Sequence, residues 1–337
     1  MTKLYLIRHA EAEGNIYRRM HGQYDALITQ NGLAQIRALE QRFAAERIDA
    51  VYASDLYRTR RTAQAICAPK GLVLHREPRF REVSVGVWED RPFGELERGC
   101  PEALAAFSRD PERWYIPGAE TYEQYSARFT QALREIAEAH PDESVAIFTH
   151  GCVLSGGLHR LFGLPHDGSR ADNTAVSLLE YENGRFTPVY FFDNSHLSES
   201  ISTRARQRWW RLQGGRFNLW FREAAPADAA LFDPVWAPPS GDSVWIACLD
   251  DEAVGYVSFR NAALTCIWLR PEYRHRRMGD QLLGQAVSVL RAGGAAQLQI
   301  GVPTANLEAL SFFARHAFPE QMDDIYTVYR MNIHVPS

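Results

Sequence analysis

Two short apolar runs in the first half of this 337-residue chain each stop on a histidine, and that limits the fold more than any other feature. Lys3-Leu4-Tyr5-Leu6-Ile7 enters Arg8-His9, and Ser144-Val145-Ala146-Ile147-Phe148 enters Thr149-His150. Each run reads as a short buried strand. Between them lie helical patterns. Gln30 to Arg47 places Leu33, Ile36, Leu39 and Phe43 on one face. A strand is expected at Asp49–Ala53 and a helix from Leu56 to Ala68. Thr121 to Ala139 reads as a long amphipathic helix, stopped by His140-Pro141 because the residue before proline avoids helical geometry. Two further strands, near 175–181 and 186–192, flank the turn Asn183-Gly184. Strands alternating with helices predict an α/β sheet covered on both faces, a three-layer α/β/α unit.

After His196 the character changes. Residues 199–216 are polar and arginine-rich around Trp209-Trp210 and read as a linker or a docking helix. Strands at 217–221, 244–249, 253–259 and 263–269, a helix at 279–291, a strand at 296–301, a helix at 305–316 and a strand at 325–333 follow, an α+β pattern. The boundaries expected are therefore 1–198 for the first domain and 217–335 for the second, in keeping with about 100–200 residues per domain. Hydrophobic residues at 46% and charged residues at 23% are ordinary for a globular protein, and a net charge of −4 gives no basic field for nucleic acid or anionic lipid. The lysines are Lys3 and Lys70, which disfavours a lysine Schiff base or a P-loop. Cys67, Cys100, Cys152, Cys248 and Cys266 form no CxxC pair and read as free thiols of a reducing cytosol, so no metal is expected. With no apolar signal core and no run of about 18 apolar residues, a cytoplasmic location is expected.

Ligands of open α/β sheets bind at the carboxyl ends of strands. That end should carry Arg8-His9, His150 and, after the strand ending on Ala53-Ser54-Asp55, Arg58. A single strand-end histidine is more often structural than catalytic. Two histidines with two arginines suit a dianionic phosphomonoester, because guanidinium forks grip phosphate oxygens bidentately. A neutral imidazole nitrogen can attack phosphorus, nearby cations favour that neutral form, and a carboxylic acid can protonate the departing alkoxide.

The segment Leu6-Ile7-Arg8-His9-Ala10-Glu11-Ala12-Glu13-Gly14-Asn15 resembles the signature of the histidine phosphatase superfamily, in its phosphoglycerate-mutase-like branch, with alanine where the usual triplet is Arg-His-Gly. Gly22–Leu33, Tyr52–Thr59, Phe80–Glu89, Pro117–Thr121, Phe148–Gly151 and Asp193–Leu197 resemble further blocks of that family, of the broad-specificity phosphatase type. The resemblance implies His9 as nucleophile and Glu82 as the acid. Arg8, Arg58 and His150 would hold the phosphoryl group, with Asn15, His21, Gly22 and Gly151 as further substrate contacts. His21 stands where many relatives have glutamine. The compact unit favours a hydrolase over a mutase-type phosphotransferase. Glu11 and Glu13 read as capping or surface charges, Arg60 and Arg61 as a solvated face, and His140, His159 and His166 as surface residues. Trp114-Tyr115 suits either a substrate-facing surface or core packing.

The run Ile267 to Leu283 reads as a strand, a basic turn and a helix start, and helix N-termini bind phosphate oxygens. It resembles the acetyl-CoA-binding motif of the GNAT acetyltransferases, Arg/Gln-x-x-Gly-x-Gly/Ala, with Arg274 and Gly279 at its ends and Arg277 replacing the inner glycine. Asn306 to Phe318 resembles that family's second cofactor segment, with Phe313 in place of a tyrosine that serves as general acid. The resemblance implies an acyl-CoA N-acyltransferase fold that binds acetyl-CoA through Leu269, Arg274, Arg276, Arg277, Met278, Gly279 and Asn306. It leaves open whether the unit acetylates an amine or only binds CoA. The partners expected are a small phosphomonoester, a small amine as acyl acceptor and a second copy of the chain in a homodimer; nucleic acid and membrane are not expected.

Overall fold

The computed structural model describes every residue except 167–170, 209–216, 234, 236, 318, 323 and 337, and the backbone alone at 321 and 322. The first sheet contains β1 (Thr2–Arg8), β2 (Ala50–Ala53), β3 (Leu74–Arg76), β4 (Ser144–Thr149), β5 (Val176–Glu182) and β6 (Arg185–Asp193), in the order β3-β2-β4-β1-β5-β6. The strands β3, β2, β4 and β1 are parallel, and β5 and β6 add an antiparallel edge.

Successive side chains of a strand point to opposite faces. Leu4, Leu6, Val145 and Ile147 therefore meet the helices Tyr122–Ala139 and Gly151–Phe162, while Tyr5, Ile7, Ala146 and Phe148 meet the helices Gln30–Phe43 and Tyr57–Lys70. Both faces are covered, which is why these runs lack polar alternation. Each fully buried Leu or Ile there contributes about 1.5–3 kcal/mol of transfer free energy. The helix Gly151–Phe162 was not foreseen, since Gly156 and Gly157 lower helix propensity. Packing explains them. A Cβ at Gly156 would lie 2.3 Å from the Tyr125 ring, and one at Gly157 2.2 Å from the Phe129 ring. The short helices Glu13–Tyr17, Phe93–Gly99 and Pro101–Arg109 were also unforeseen.

The second sheet contains β7 (Trp220–Glu223), β8 (Ser243–Leu249), β9 (Glu252–Arg260), β10 (Ala263–Leu269), β11 (Gln297–Pro303), β12 (Pro319–Met322) and β13 (Tyr326–Asn332), in the order β12-β13-β11-β10-β9-β8-β7. The strands β10 and β11 are parallel and pair only at Ala263–Gln299 and Leu264–Ile300. The helices Met278–Ala292 and Leu307–Phe313 pack on this sheet, the latter shorter than predicted. The expected strand at 217–221 begins at Trp220, and β3 and β12 were missed. Residues 199–216 contribute a short helix, Thr203–Arg206; Trp209-Trp210 lie outside the described residues.

The two sheets share packing. Ile16 and Tyr17, seven and eight residues past the first histidine, belong to the apolar core of the second unit. A Cβ at Gly284 would stand 2.4 Å from that of Tyr17, so the helices Glu13–Tyr17 and Met278–Ala292 approach almost backbone to backbone. Gly94 lies equally close to the backbone of Leu219.

Candidate functional site

Register brings the first constellation together. Arg8 pairs with Thr149 across β1 and β4, and Ala53 with Phe148 across β2 and β4, so His9, His150 and Ser54 leave adjacent parallel strands side by side. The His9 and His150 rings are 5.2 Å apart. Nδ1 of His9 lies 2.7 Å from the carbonyl of Ala10. A carbonyl can only accept, so Nδ1 carries the proton and the lone pair sits on Nε2. Asn173 donates to the His9 carbonyl at 2.9 Å and steadies the turn. Burial, then the charges of Arg58 and Arg8, push the His9 imidazole well below its usual range. Burial and Arg58 do the same to His150, whose Nε2 lies 2.9 Å from the Ser54 hydroxyl.

Arg58 is buried at the start of the helix Tyr57–Lys70. Its Nη1 donates to the Tyr24 carbonyl at 3.0 Å and its Nη2 to that of Gly22 at 2.6 Å. Arg8 donates to the carbonyl of Ala171 at 2.5 Å. Arg8 Nε, Arg58 Nε and His150 Nδ1 are buried and make no hydrogen bond. Buried polar atoms are almost always paired, so two such nitrogens on the pocket-lining Arg8 and Arg58 suit an anion that brings its own acceptor oxygens.

Glu82 lines the same pocket, with both carboxylate oxygens engaged by backbone. Oε1 accepts from Val83 at 3.0 Å and Val153 at 2.8 Å, and Oε2 from Cys152 at 3.0 Å. It thus caps the helix Gly151–Phe162 while lining the pocket, a double duty that the sequence did not show. The pocket holds about 260 Å³ and is lined by Arg8, His9, Asn15, His21, Arg58, Glu82 and Gly151 among others. His150 and Gly22 are not among the lining residues but touch it, through the His9 ring and the Arg58 guanidinium. A Cβ at Gly22 would fall 2.4 Å from Glu89 Oε1. Asn15 accepts from the Ala12 backbone at 3.0 Å. The His21 ring covers Gly14, where a Cβ would meet its Nδ1 at 2.4 Å. Sequence reasoning missed four further lining residues, Asp172 and Asn173, a polar pair just before β5, and Arg18 and Arg204. Arg204 follows Asp172, whose Oδ1 accepts its backbone N–H at 3.1 Å, a contact across 32 residues with no local signal.

Three expectations are corrected. Glu11 and Glu13 are buried, not surface charges. Glu11 accepts from Thr29, Asn31 and Thr203, and Glu13 pairs with Arg291 of the second unit at 2.9 Å. His166 is buried beside the Tyr125 hydroxyl, and His140 and His159 are half-buried. Arg60 is not simply solvated, since it reaches the carbonyl of Pro336 at 2.9 Å. Trp114 resolves to core packing against Trp88 and Phe107, and Tyr115 is exposed.

In the second unit, Arg277 takes a left-handed φ of 57°, as a position suited to glycine would, and the helix Met278–Ala292 starts without a side-chain cap. Arg274 turns back to the carbonyl of Leu269 at 3.0 Å. Arg276 is exposed and lies over the Tyr273 ring. Met278 buries its side chain, and Gly279 lies under Phe312. Asn306 caps the helix Leu307–Phe313. Phe313 is buried.

The family model of the histidine phosphatase superfamily (branch 1) matches residues 4–194, and that of the acetyltransferase (GNAT) family matches residues 206–318. The probable phosphoglycerate mutase GpmB of Yersinia pestis (strain Pestoides F) is 31% identical over 185 residues, 54% of this chain and 86% of that protein. The structure of YhfR from Bacillus stearothermophilus superposes with a TM-score of 0.56 at 29% identity, covering 59% of this chain and all of its own. A histidine-to-alanine mutant of phosphoserine phosphatase from Entamoeba histolytica, in complex with phosphoserine, gives 0.52 at 25% identity, covering 59% of this chain and all of its own. Among the described residues no helix is long and apolar enough to cross a membrane.

Proposed function

The chain belongs to the histidine phosphatase superfamily, branch 1, and we propose that it hydrolyses a small phosphomonoester through a phosphohistidine on His9. The observation that carries this reading is His9 itself. Its Nε2 is left with the lone pair by the Ala10 hydrogen bond, in a pocket where Arg8 and Arg58 keep unpaired nitrogens. Nε2 attacks phosphorus as the ester P–O bond breaks, and Glu82, as the carboxylic acid, gives its proton to the departing alkoxide. The Glu82 carboxylate then takes a proton from water, the water oxygen attacks phosphorus, the P–N bond breaks and inorganic phosphate leaves. Arg8, Arg58 and His150 hold the phosphoryl oxygens, and Asn15, His21 and the Gly22 and Gly151 backbones border the site. Donors fixed in advance stabilise the charge of the transition state. Hydrolysis is preferred to mutase-type transfer because the segments around Glu82 are short.

Phosphate release from p-nitrophenyl phosphate by the full chain, beside His9→Ala, tests this. A loss of about 10³-fold or more is expected on removing the nucleophile, and equal rates would sink the mechanism. A metabolite screen for phosphate release would then identify the ester.

For residues 217–335, taken as a second domain joined through 199–216, the reading is acetyl-CoA binding. The uncapped helix start at Met278–Gly279, preceded in the chain by Arg274, Arg276 and Arg277, suits a pyrophosphate. Leu269, whose carbonyl takes Arg274, and Asn306, which caps the helix Leu307–Phe313, are the further residues proposed for it. Acetyl-CoA, when bound, supplies an acetyl thioester for transfer to an amine. Phe313 has no proton to give, so binding is proposed ahead of transfer. Calorimetry with acetyl-CoA should show heat and a thermal shift; neither would remove the cofactor reading. A cytoplasmic location accords with both reactions.

A further inference from the structure

One buried polar network crosses from the second unit into the pocket of the first. Arg19 is its hub. Nε donates to Asp90 Oδ1 at 2.7 Å, Nη1 to Gln285 Oε1 at 2.9 Å and Nη2 to Ser288 Oγ at 2.9 Å. Ser288 in turn donates its hydroxyl proton to Asp90 Oδ2 at 2.5 Å. Asp90 Oδ1 lies 3.4 Å from Nε2 of His21, which lines the pocket. Asp90 holds a left-handed φ of 57°, a strained setting for a residue with a side chain, and needs partners to keep it.

The helix Met278–Ala292 is shaped for this task. Gly284, Ser288 and Arg291 fall at i, i+4 and i+7, with Gln285 beside them, so they share one face. Gly284 admits Tyr17, Gln285 and Ser288 grip Arg19 and Asp90, and Arg291 holds Glu13. The residues contacted, 13 to 19, lie between His9 and His21 in the chain. That segment supplies Gly14, Asn15, Arg18 and Arg19 to the pocket wall that His9 and His21 also line. A helix packed only for cohesion would present apolar side chains here. This one presents an amide, a hydroxyl and a guanidinium, each with an oriented partner.

We propose that Gln285 and Ser288 of the second unit are positioning residues for the phosphatase pocket, which hold His21 in place for anion binding through Arg19 and Asp90. The proposal rests on the phosphatase reading of that pocket. It assigns the second unit a part in phosphate recognition that does not depend on acetyl transfer.

The test uses the full chain carrying Gln285→Leu with Ser288→Ala, and inorganic phosphate as the probe. Calorimetry should show phosphate binding about fivefold weaker, the size of one lost net hydrogen bond. KM for p-nitrophenyl phosphate should rise in step while kcat stays within about twofold, the signature of lost binding common to ground and transition states. Gln285→Glu with Ser288→Thr, which keeps an acceptor and a hydroxyl, should restore the native value. In a His21→Asn background the Leu/Ala pair should leave phosphate binding unchanged, because coupled residues are not additive. Unchanged binding in the native background, or an equal loss in both backgrounds, overturns the proposal, the second outcome meaning general loosening. Ser288→Ala alone carries the same cycle if the pair does not fold. Phosphate binding without turnover in the native chain would sink the catalytic reading and leave this test intact; no phosphate binding would overturn both.

Discussion

His9 and its neighbours show how single residues are tuned by what surrounds them. Burial and two guanidinium charges hold His9 in its neutral form, so the proposed nucleophile survives acidification that would protonate a free imidazole. The acid limb of kcat/KM should therefore lie below the ordinary histidine value of 6.5, and a limb at or above that value would contradict it. The same burial has a stability cost. A histidine whose folded value is depressed lets the unfolded chain take up protons first, so stability falls as pH drops below 6.5. His196, lowered to about 4 by burial and then Arg42, contributes to this loss between about 6.5 and about 4. His196→Gln should flatten the fall of the urea midpoint over that window; an unchanged slope would place the effect elsewhere. His9, Arg8, Arg58 and His150 were legible in the sequence because each lies at the end of a strand or the start of a helix. The burial of Glu11 and Glu13 was not, because Thr203 and Arg291, which accommodate them, are about 190 and 280 residues away.

Among the elements, the helix Gly151–Phe162 ties fold to chemistry. Its first N–H groups are satisfied by Glu82, the proposed proton donor, so one carboxylate both orders the helix start and faces the pocket. Glu82→Gln sets an amide NH₂ against one of those N–H groups. It should lower kcat about 10²–10⁴-fold and cost about 1–3 kcal/mol of stability, read from phosphate release and urea unfolding. A loss of activity with native stability would mean the cap is dispensable. The strands other than β3 and β12 were legible from their apolar runs, and the helices Gln30–Phe43, Tyr57–Lys70 and Tyr122–Ala139 from their spacing. The glycines of Gly151–Phe162 hid it, since low propensity shows in sequence and close packing on Tyr125 and Phe129 does not.

At the scale of the whole molecule the two units are not independent beads. Ile16 and Tyr17 fill the second core, and the Arg291–Glu13 pair is largely buried. Arg291→Leu leaves Glu13 without its counter-charge and should cost about 3 kcal/mol, measured by urea unfolding. A change under about 0.5 kcal/mol would mark the pair as a solvated contact. Both family matches were legible as motifs, but the interface was not. Gly284, Gln285, Ser288 and Arg291 form a polar stripe that reads as solvent-facing until Tyr17 and Arg19 are placed against it.

Tyr17 also sets an order of events during synthesis. It leaves the ribosome near the start, while Gly284 is made some 270 residues later, an interval of about 15–50 s at ordinary elongation rates. Through that interval the segment beside His9 carries an uncovered tyrosine and isoleucine, so the first unit to emerge is the one that must wait. Nascent chains arrested before residue 278 should accordingly bind an apolar dye and hold phosphate poorly, and both properties should reverse on release of the finished chain.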